Sequence, residues 1–299
     1  MMRGKRLQEV FEASPVISFD NRSRFILFSD CHRGDNSWAD DFAHNENVFQ
    51  HAMSRYYAED YTYIELGDGD ELWENNRFED IRRAHSSVFK LLRRFYREKR
   101  FFLLYGNHDK ERRSHSRVER TLYRYFDARI GRYVPLFEGI EVHEGLVLEY
   151  RETGARIFLV HGHQGDLLND RLWWLAGFLN RFLWRQLQLI GVRDPTRPAV
   201  NAMRRKKVER KLTRWVQGKG CIVVAGHTHR PRFPGPGAPP SFNTGSCVHP
   251  RSITGIEIEE GSLQLVKWFV GTREDGLLQV SREVLAGPAE VDLFCHPME

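Results

Sequence analysis

The sequence predicts an α/β protein built on a largely parallel sheet, on three observations. Five short apolar runs punctuate the chain, each bounded by turn formers or charges. Polar, periodic stretches long enough for helices separate the first three runs. Strand–helix–strand alternation of that kind gives parallel strands covered on both faces.

In chain order the runs are RFILFSD (24–30), YTYIELGD (61–68), RFFLLYGN (100–107), ARIFLVHG (155–162) and CIVVAGH (221–227). Helices are expected over roughly 40–59 and 76–99. The last third changes character. SFNTGSCV, SITGIEIEE and SLQLVKWFV are strand-like runs joined by Gly and Ser turns. ITGIEIEEGSLQLVKW reads as a hairpin turning near Glu260-Gly261. PRFPGPGAPP (231–240) is too rich in Pro and Gly for a regular element. No internal repeat is found.

A chain of 299 residues forms one large domain or two small ones, and 41% hydrophobic with 12% aromatic content argues for a packed core. Cys31, Cys221, Cys247 and Cys295 are far apart, without CxxC or zinc-finger spacing, so reduced thiols and a cytoplasmic setting are expected. The N-terminus MMRGKRLQEVFEASP is basic, but no apolar stretch follows, so no signal peptide is expected. No run reaches the roughly 18 apolar residues of a membrane span. The expectation is a soluble or peripheral protein.

Every strand run ends in the same kind of residue. The first ends in Asp30-Cys31-His32 and the second in Gly67-Asp68. The third gives Gly106-Asn107-His108-Asp109, the fourth His161-Gly162-His163, and the fifth Gly226-His227-Thr228-His229. A lone Asp after a strand usually caps a turn, and a lone His is usually a hydrogen-bonded loop residue. Five such endings in series are a different matter. In an open parallel sheet the carboxyl ends of the strands face one crevice, where ligands bind. Carboxylates, imidazoles and one amide without thiolate suit Mn, Fe or Zn. One carboxylate is placed to bridge two ions, and two ions about 3.5–4 Å apart clamp a phosphoryl group and activate a water.

The order DxH, GDxxE, GNHD, HGH, GHTH resembles the calcineurin-like metallophosphoesterase superfamily. The motifs cover residues 30 to 229. The resemblance implies a two-sheet sandwich flanked by helices (αββα), one domain over 1–299, and a dinuclear centre with Mn²⁺ as the first expectation. It also implies roles for residues. Asp30, His32 and His229 would bind one metal, and Asn107, His161 and His227 the other, with Asp68 bridging both. His108 would protonate the leaving oxygen, and Asp109 would hold or polarise His108. The expected activity is hydrolysis of a phosphomonoester or phosphodiester by a metal-bridged hydroxide.

Other residues nearby carry open readings. Asp35 and Glu71 either orient ligands or serve turns, and His163 and Asp166 either touch substrate or support the ligands. Arg33 either meets a phosphate oxygen or is solvated. Cys31, between two ligand positions on an extended segment, should point away into packing.

Residues 167–219 form a predicted helical insert between the fourth and fifth motifs. They hold thirteen Lys/Arg against three Asp/Glu, although the whole chain carries only +5. RLWWLAGFLNRFLWRQLQLI has three tryptophans and would be apolar over most of a helix, and RRKKVERKLTR is strongly basic. Three roles fit: a helix packed on the domain or on a subunit partner, a cap greeting an acyl chain or an anionic membrane through 170–215, or a phosphate-contacting nucleic-acid surface. No reader fold or motif supports the third.

An insert at this place resembles UDP-2,3-diacylglucosamine hydrolases of lipid A synthesis, which cleave a pyrophosphate. The chain departs from them after Asn107, where they carry Arg and it carries His108. A proton donor matters for an alkoxide leaving group and less for a phosphate, already a stable anion. A phosphoesterase is therefore the leading expectation, and a lipid-linked pyrophosphatase at the membrane surface the alternative.

Overall fold

The computed structural model describes residues 4–165 and 197–295. Helix α1 (Lys5–Ala13) leads into β1 (Val16–Phe19) and β2 (Phe25–Phe28). Helix α2 (Glu46–Ala58) precedes β3 (Thr62–Leu66), and α3 (Phe78–Ala84) and α4 (Ser86–Arg97) precede β4 (Phe101–Leu104). Helix α5 (His115–Leu122) and the hairpin β5 (Arg124–Asp127) and β6 (Arg132–Pro135) come next. They are followed by β7 (Val142–His143), β8 (Gly145–Tyr150) and β9 (Arg156–Val160). After α6 (Arg197–Val216) come β10 (Cys221–Ala225), β11 (Ser241–Asn243), β12 (Ser252–Glu259), β13 (Ser262–Thr272) and β14 (Leu278–Glu290).

The strands form two stacked mixed sheets plus the small β5–β6 hairpin. The larger sheet has order β14-β13-β12-β2-β3-β4-β7, the smaller β1-β8-β9-β10-β11. Strands β2, β3, β4 and β7 are parallel, and β12 to β14 form an antiparallel meander beside β2. Alternation along each strand divides the side chains between layers. Leu27, Ile64 and Leu104 face Leu148, Leu159 and Val224 in the core between the sheets. Ile26, Tyr63 and Leu103 face the opposite way, under Phe49, Met53, Leu92 and Phe95 of α2 and α4. Helices α1 and α6 cover the smaller sheet, with Leu7, Val10, Leu212 and Trp215 packed on Phe158 and Val223. The layers run helix, sheet, sheet, helix, as the resemblance implied.

The structure corrects one expectation. The five motif strands do not share a sheet: β2, β3 and β4 lie in the larger one, β9 and β10 in the smaller. Runs that are apolar at every position signal burial on both faces, but not which sheet receives them.

Two helices also differ in extent. The stretch 76–99 is two helices broken at His85, whose side chain is fully buried and bonded to Asp40 and Glu46. The stretch 40–59 reduces to α2 after a single 3₁₀ turn, Phe42–His44. The hairpin turn falls where expected: Glu260 and Gly261 both adopt left-handed φ, 50° and 69°, as a two-residue turn matching strand twist requires. Residues 166–196 of the insert, with Asp166 and the three tryptophans at 173, 174 and 184, lie outside the described residues. Its later part is α6, which turns Val208, Leu212, Trp215 and Val216 onto the smaller sheet.

Candidate metal centre

The carboxyl ends of β2, β3, β4, β9 and β10 meet at one edge of the sandwich. Backbone bonds knit the loops there: Asp30 N–H donates to Gly67 O (3.1 Å), His32 N–H to Asp68 O (2.9 Å), and Gly226 N–H to His161 O (3.0 Å). One link crosses between sheets, where the His227 N–H donates to Asp30 Oδ2 at 2.8 Å.

Two glycines make room for the carboxylates. A Cβ on Gly106 would lie 2.1 Å from Asp68 Oδ1, and one on Gly226 would lie 2.5 Å from Asp30 Oδ2. Any side chain before Asn107 or His227 would displace the acid it faces.

The loop backbone is held in unusual conformations. Ten non-glycine residues among those described have left-handed φ, and five of them are Asp30, His32, Asp68, His227 and His229. This conformation costs on the order of 1–2 kcal/mol per residue. Its concentration at one edge is typical of a functional site, where packing elsewhere over-determines the backbone.

These residues form two adjoining clusters. Asp30, His32 and His229 offer ligand atoms within 4.8 Å of one another, and so do Asp68, His161 and His227. Asp68 stands between the clusters: its Oδ2 is 3.1 Å from His161 Nε2 and 3.9 Å from His32 Nε2. His229 Nε2 is 3.1 Å from Asp30 Oδ1 and 3.3 Å from His32 Nε2. A third group joins the edge, His32, Glu71 and His108. The structure thus brings together six of the seven predicted ligands in two clusters, with the buried Asn107 following Gly106.

The donor set fits divalent cations. Asp30 Oδ1, Asn107 Oδ1 and His161 Nε2 are buried without a hydrogen-bond partner. Orphaned buried polar atoms are rare and destabilising unless something satisfies them. His161 Nδ1 is bonded to Leu66 O at 2.8 Å, which leaves Nε2 free to coordinate.

The electrostatics point the same way. Burial opposes a charge on His161, yet Asp68 and Asp30 push its pKa up to about 9. The pocket therefore draws positive charge, which a proton or a cation at Nε2 would supply. Burial, reinforced by His161, brings His227 down to about 4, so its ring is neutral with a lone pair to give. Burial favours a neutral Asp30, but His229 and His161 override it and hold the carboxylate well below its usual range.

His108 is oriented by two neighbours that the sequence did not assign to it. Glu71 Oε1 is 2.8 Å from His108 Nδ1, and Oε2 is 2.9 Å from His32 Nδ1, so one carboxylate serves both rings. The Trp73 indole stacks on the His108 ring at 3.9 Å between centroids, with the planes 22° apart. The GDxxE spacing pointed to Glu71. Nothing in the sequence marked Trp73.

Asp109 does not hold His108, contrary to expectation. Its carboxylate turns back to accept the Gly106 N–H (2.6 Å) and the Gly69 N–H (3.1 Å), and pairs with Arg112 (3.3 Å). It braces the loops after β3 and β4 from below. Burial raises its pKa to about 6, with Arg112 opposing and Asp68 adding to the rise.

Arg33 neither faces substrate nor is solvated. It is 1% exposed and forks onto Glu65 with two 2.8 Å bonds, while its Nε donates to Asp70 at 2.7 Å. Asp70 also pairs with Arg112. Cys31 is fully buried in the core under α2, as alternation predicted. Asp35 accepts the Ser37 N–H at 3.2 Å in a turn. His163 is fully buried with neither ring nitrogen hydrogen-bonded, its ring 5.6 Å from that of His161.

Such a sandwich, with acids, imidazoles and an amide at one edge, defines a candidate metal-dependent hydrolase. The calcineurin-like phosphoesterase family profile matches residues 23–231. The chain belongs to that family, which implies a metal-dependent phosphoester hydrolase. No curated protein matches the chain significantly. Among solved structures it is similar to Vps29 of Chaetomium thermophilum, at 12% identity and a TM-score of 0.39, over 89% of this chain and 96% of that one.

Proposed function

We propose that the protein is a phosphomonoesterase or phosphodiesterase working through two divalent cations, with Mn²⁺ the first candidate and Fe or Zn the alternatives. The observation that carries this reading is Asp68 Oδ2 lying between His161 and His32, each cluster having its own further ligands. Asp30, His32 and His229 would hold one cation and Asn107, His161 and His227 the other, with Asp68 shared. When bound, such a pair neutralises phosphoryl oxygens and lowers the pKa of water.

The chain's own residues do the rest. His108 holds Nδ1 against Glu71, which leaves Nε2 to carry the proton for the leaving oxygen. Burial disfavours a charged His108, but Glu71 and Asp68 override it and raise its pKa above the ordinary histidine value. Trp73 fixes the ring plane, and Asp109 fixes the turn that presents Asn107 and His108. His163, buried beside His161 with free nitrogens, is available to a bound phosphoryl group or its ligands.

The lipid-linked pyrophosphatase alternative rests on sequence alone. In the described part of the insert, Trp215 and its apolar neighbours pack inward on the sheet, so they are not free for a lipid. No described helix is long and apolar enough to cross a membrane. The test is a Mn²⁺-supplemented panel of phosphomonoesters, phosphodiesters, nucleotide pyrophosphates and acylated sugar nucleotides. Turnover of either ester class, abolished by chelator, is expected. Turnover of pyrophosphates alone would transfer the assignment to the alternative.

A further inference from the structure

A cleft of about 530 Å³ opens between α3, α5 and the β5–β6 hairpin. Its lining is one-sided in charge: Arg77, Arg83, Arg117, Arg120 and Arg124 against Glu79 and Glu111. Aromatic rings complete the wall, among them Tyr125, Phe126 and Tyr133.

The guanidiniums are not committed elsewhere in a way that would bar a ligand. Arg117 meets Glu111 at 3.7 Å with 52% of its side chain exposed, and Arg77 meets Asp80 at 3.8 Å with 71% exposed. Arg83 pairs with Glu79 and Arg124 with Glu138, both from exposed positions. Exposed pairs of this kind contribute little and give way readily to a better anion. Arg120 lies one helical turn beyond Arg117 on the same face of α5, exposed, with no ion pair among the described residues.

The rings are placed for stacking. Phe126 is 40% and Tyr133 68% exposed, and they meet edge to face at 5.5 Å between centroids. Two large aromatic side chains left open beside five arginines form neither a solvated charged face nor an apolar docking face. Guanidiniums match phosphate oxygens in forked pairs, and open aromatic rings stack planar heterocycles.

We infer that this cleft, which shares no lining residue with the metal centre, is an anion site that takes a phosphorylated planar compound such as a nucleoside diphosphate. The inference goes beyond the proposed hydrolysis and does not rest on it.

The test is calorimetric titration of ADP into protein stripped of metal with EDTA, so that the metal centre does not contribute. Saturable binding is expected, at least tenfold weaker for adenosine, which lacks the anion. The Arg117→Ala/Arg120→Ala double variant should also bind at least tenfold more weakly. Tyr133→Ala should weaken ADP several-fold while leaving inorganic pyrophosphate nearly unaffected. The circular dichroism spectrum and hydrolysis of an aryl phosphate should be unchanged in these surface variants. No saturable binding of ADP at millimolar concentration, equal affinity for adenosine, or undiminished affinity in the double variant would each overturn the assignment.

Discussion

Trp73 lies flat against His108, ring on ring, with centroids 3.9 Å apart. The contact matters because it holds the plane of the ring, on which the Glu71 bond at Nδ1, the His32 ring edge to face at 4.6 Å between centroids and the backbone N–H donating to Asp68 Oδ1 at 2.8 Å act from other sides. Removing the indole uncovers one face of the ring and lets it tilt about the Glu71 bond. A displacement of about 1 Å in a catalytic group is enough for a loss of roughly 10²-fold. Trp73→Leu should therefore lower kcat by about one to two orders of magnitude with little change in KM, while Trp73→Phe retains most activity. A kcat for Trp73→Leu equal to wild type would show that the stacking has no catalytic part.

A proton donor is needed in proportion to how poor the leaving group is. His108→Ala should slow an alkyl phosphate ester by roughly 10²–10⁴-fold, the usual contribution of a positioned acid. The same variant should slow a nitrophenyl ester far less, because nitrophenolate leaves without help. Equal losses on both esters would remove His108 from the acid role and leave it a binding residue.

Beneath the site, Arg33 is buried between Glu65 and Asp70. Breaking a buried pair by deleting one partner strands the other charge and costs about 3–5 kcal/mol. Glu65→Ala should thus lower unfolding free energy by that order in urea titrations, although Glu65 touches no predicted ligand. A loss under about 1 kcal/mol, typical of an exposed pair, would show that the network is not structural.

His85 offers a pH test away from the metal centre. Burial lowers its pKa, but bonds to Asp40 and Glu46 more than compensate and push it up to about 9. A histidine raised in the folded state lends stability that is fully present below its unfolded pKa of about 6.5. That stability disappears as pH rises through about 9. The shift corresponds to roughly 3 kcal/mol. The stability difference between wild type and His85→Gln should shrink by that order between pH 6 and pH 10, on the order of the two pKa values. A difference that stays constant across this window would exclude a charged His85.

The metal-centre neighbourhood was legible because its chemistry sits in short motifs at strand ends. Asp30, His32, Asp68, His161, His227 and His229 converge at one edge of the fold. What the sequence hid were relations between segments. The resemblance implied that Asp109 holds or polarises His108, but the side chain folds back onto the Gly106 amide, and the restraint comes from Glu71, 37 residues away. Arg33 was read as either meeting a phosphate oxygen or solvated, and neither holds, because its partners Glu65 and Asp70 are brought to it by β2–β3 pairing. The edge strand β14 was missed because it is half exposed and carries a Gly-Pro, so no alternation marks it. The division of the motif strands between two sheets was not read from the sequence, since periodicity reports burial and not partners.

The central claim is a pair of cations held on either side of Asp68. Its most direct measurement is Mn²⁺ binding to chelator-stripped protein, followed by equilibrium dialysis and electron paramagnetic resonance. The account predicts two ions per chain with the spectrum of an exchange-coupled pair, and loss of that coupling in Asp68→Ala. Saturation at one ion or none, or two ions that remain magnetically independent in wild type, would contradict it.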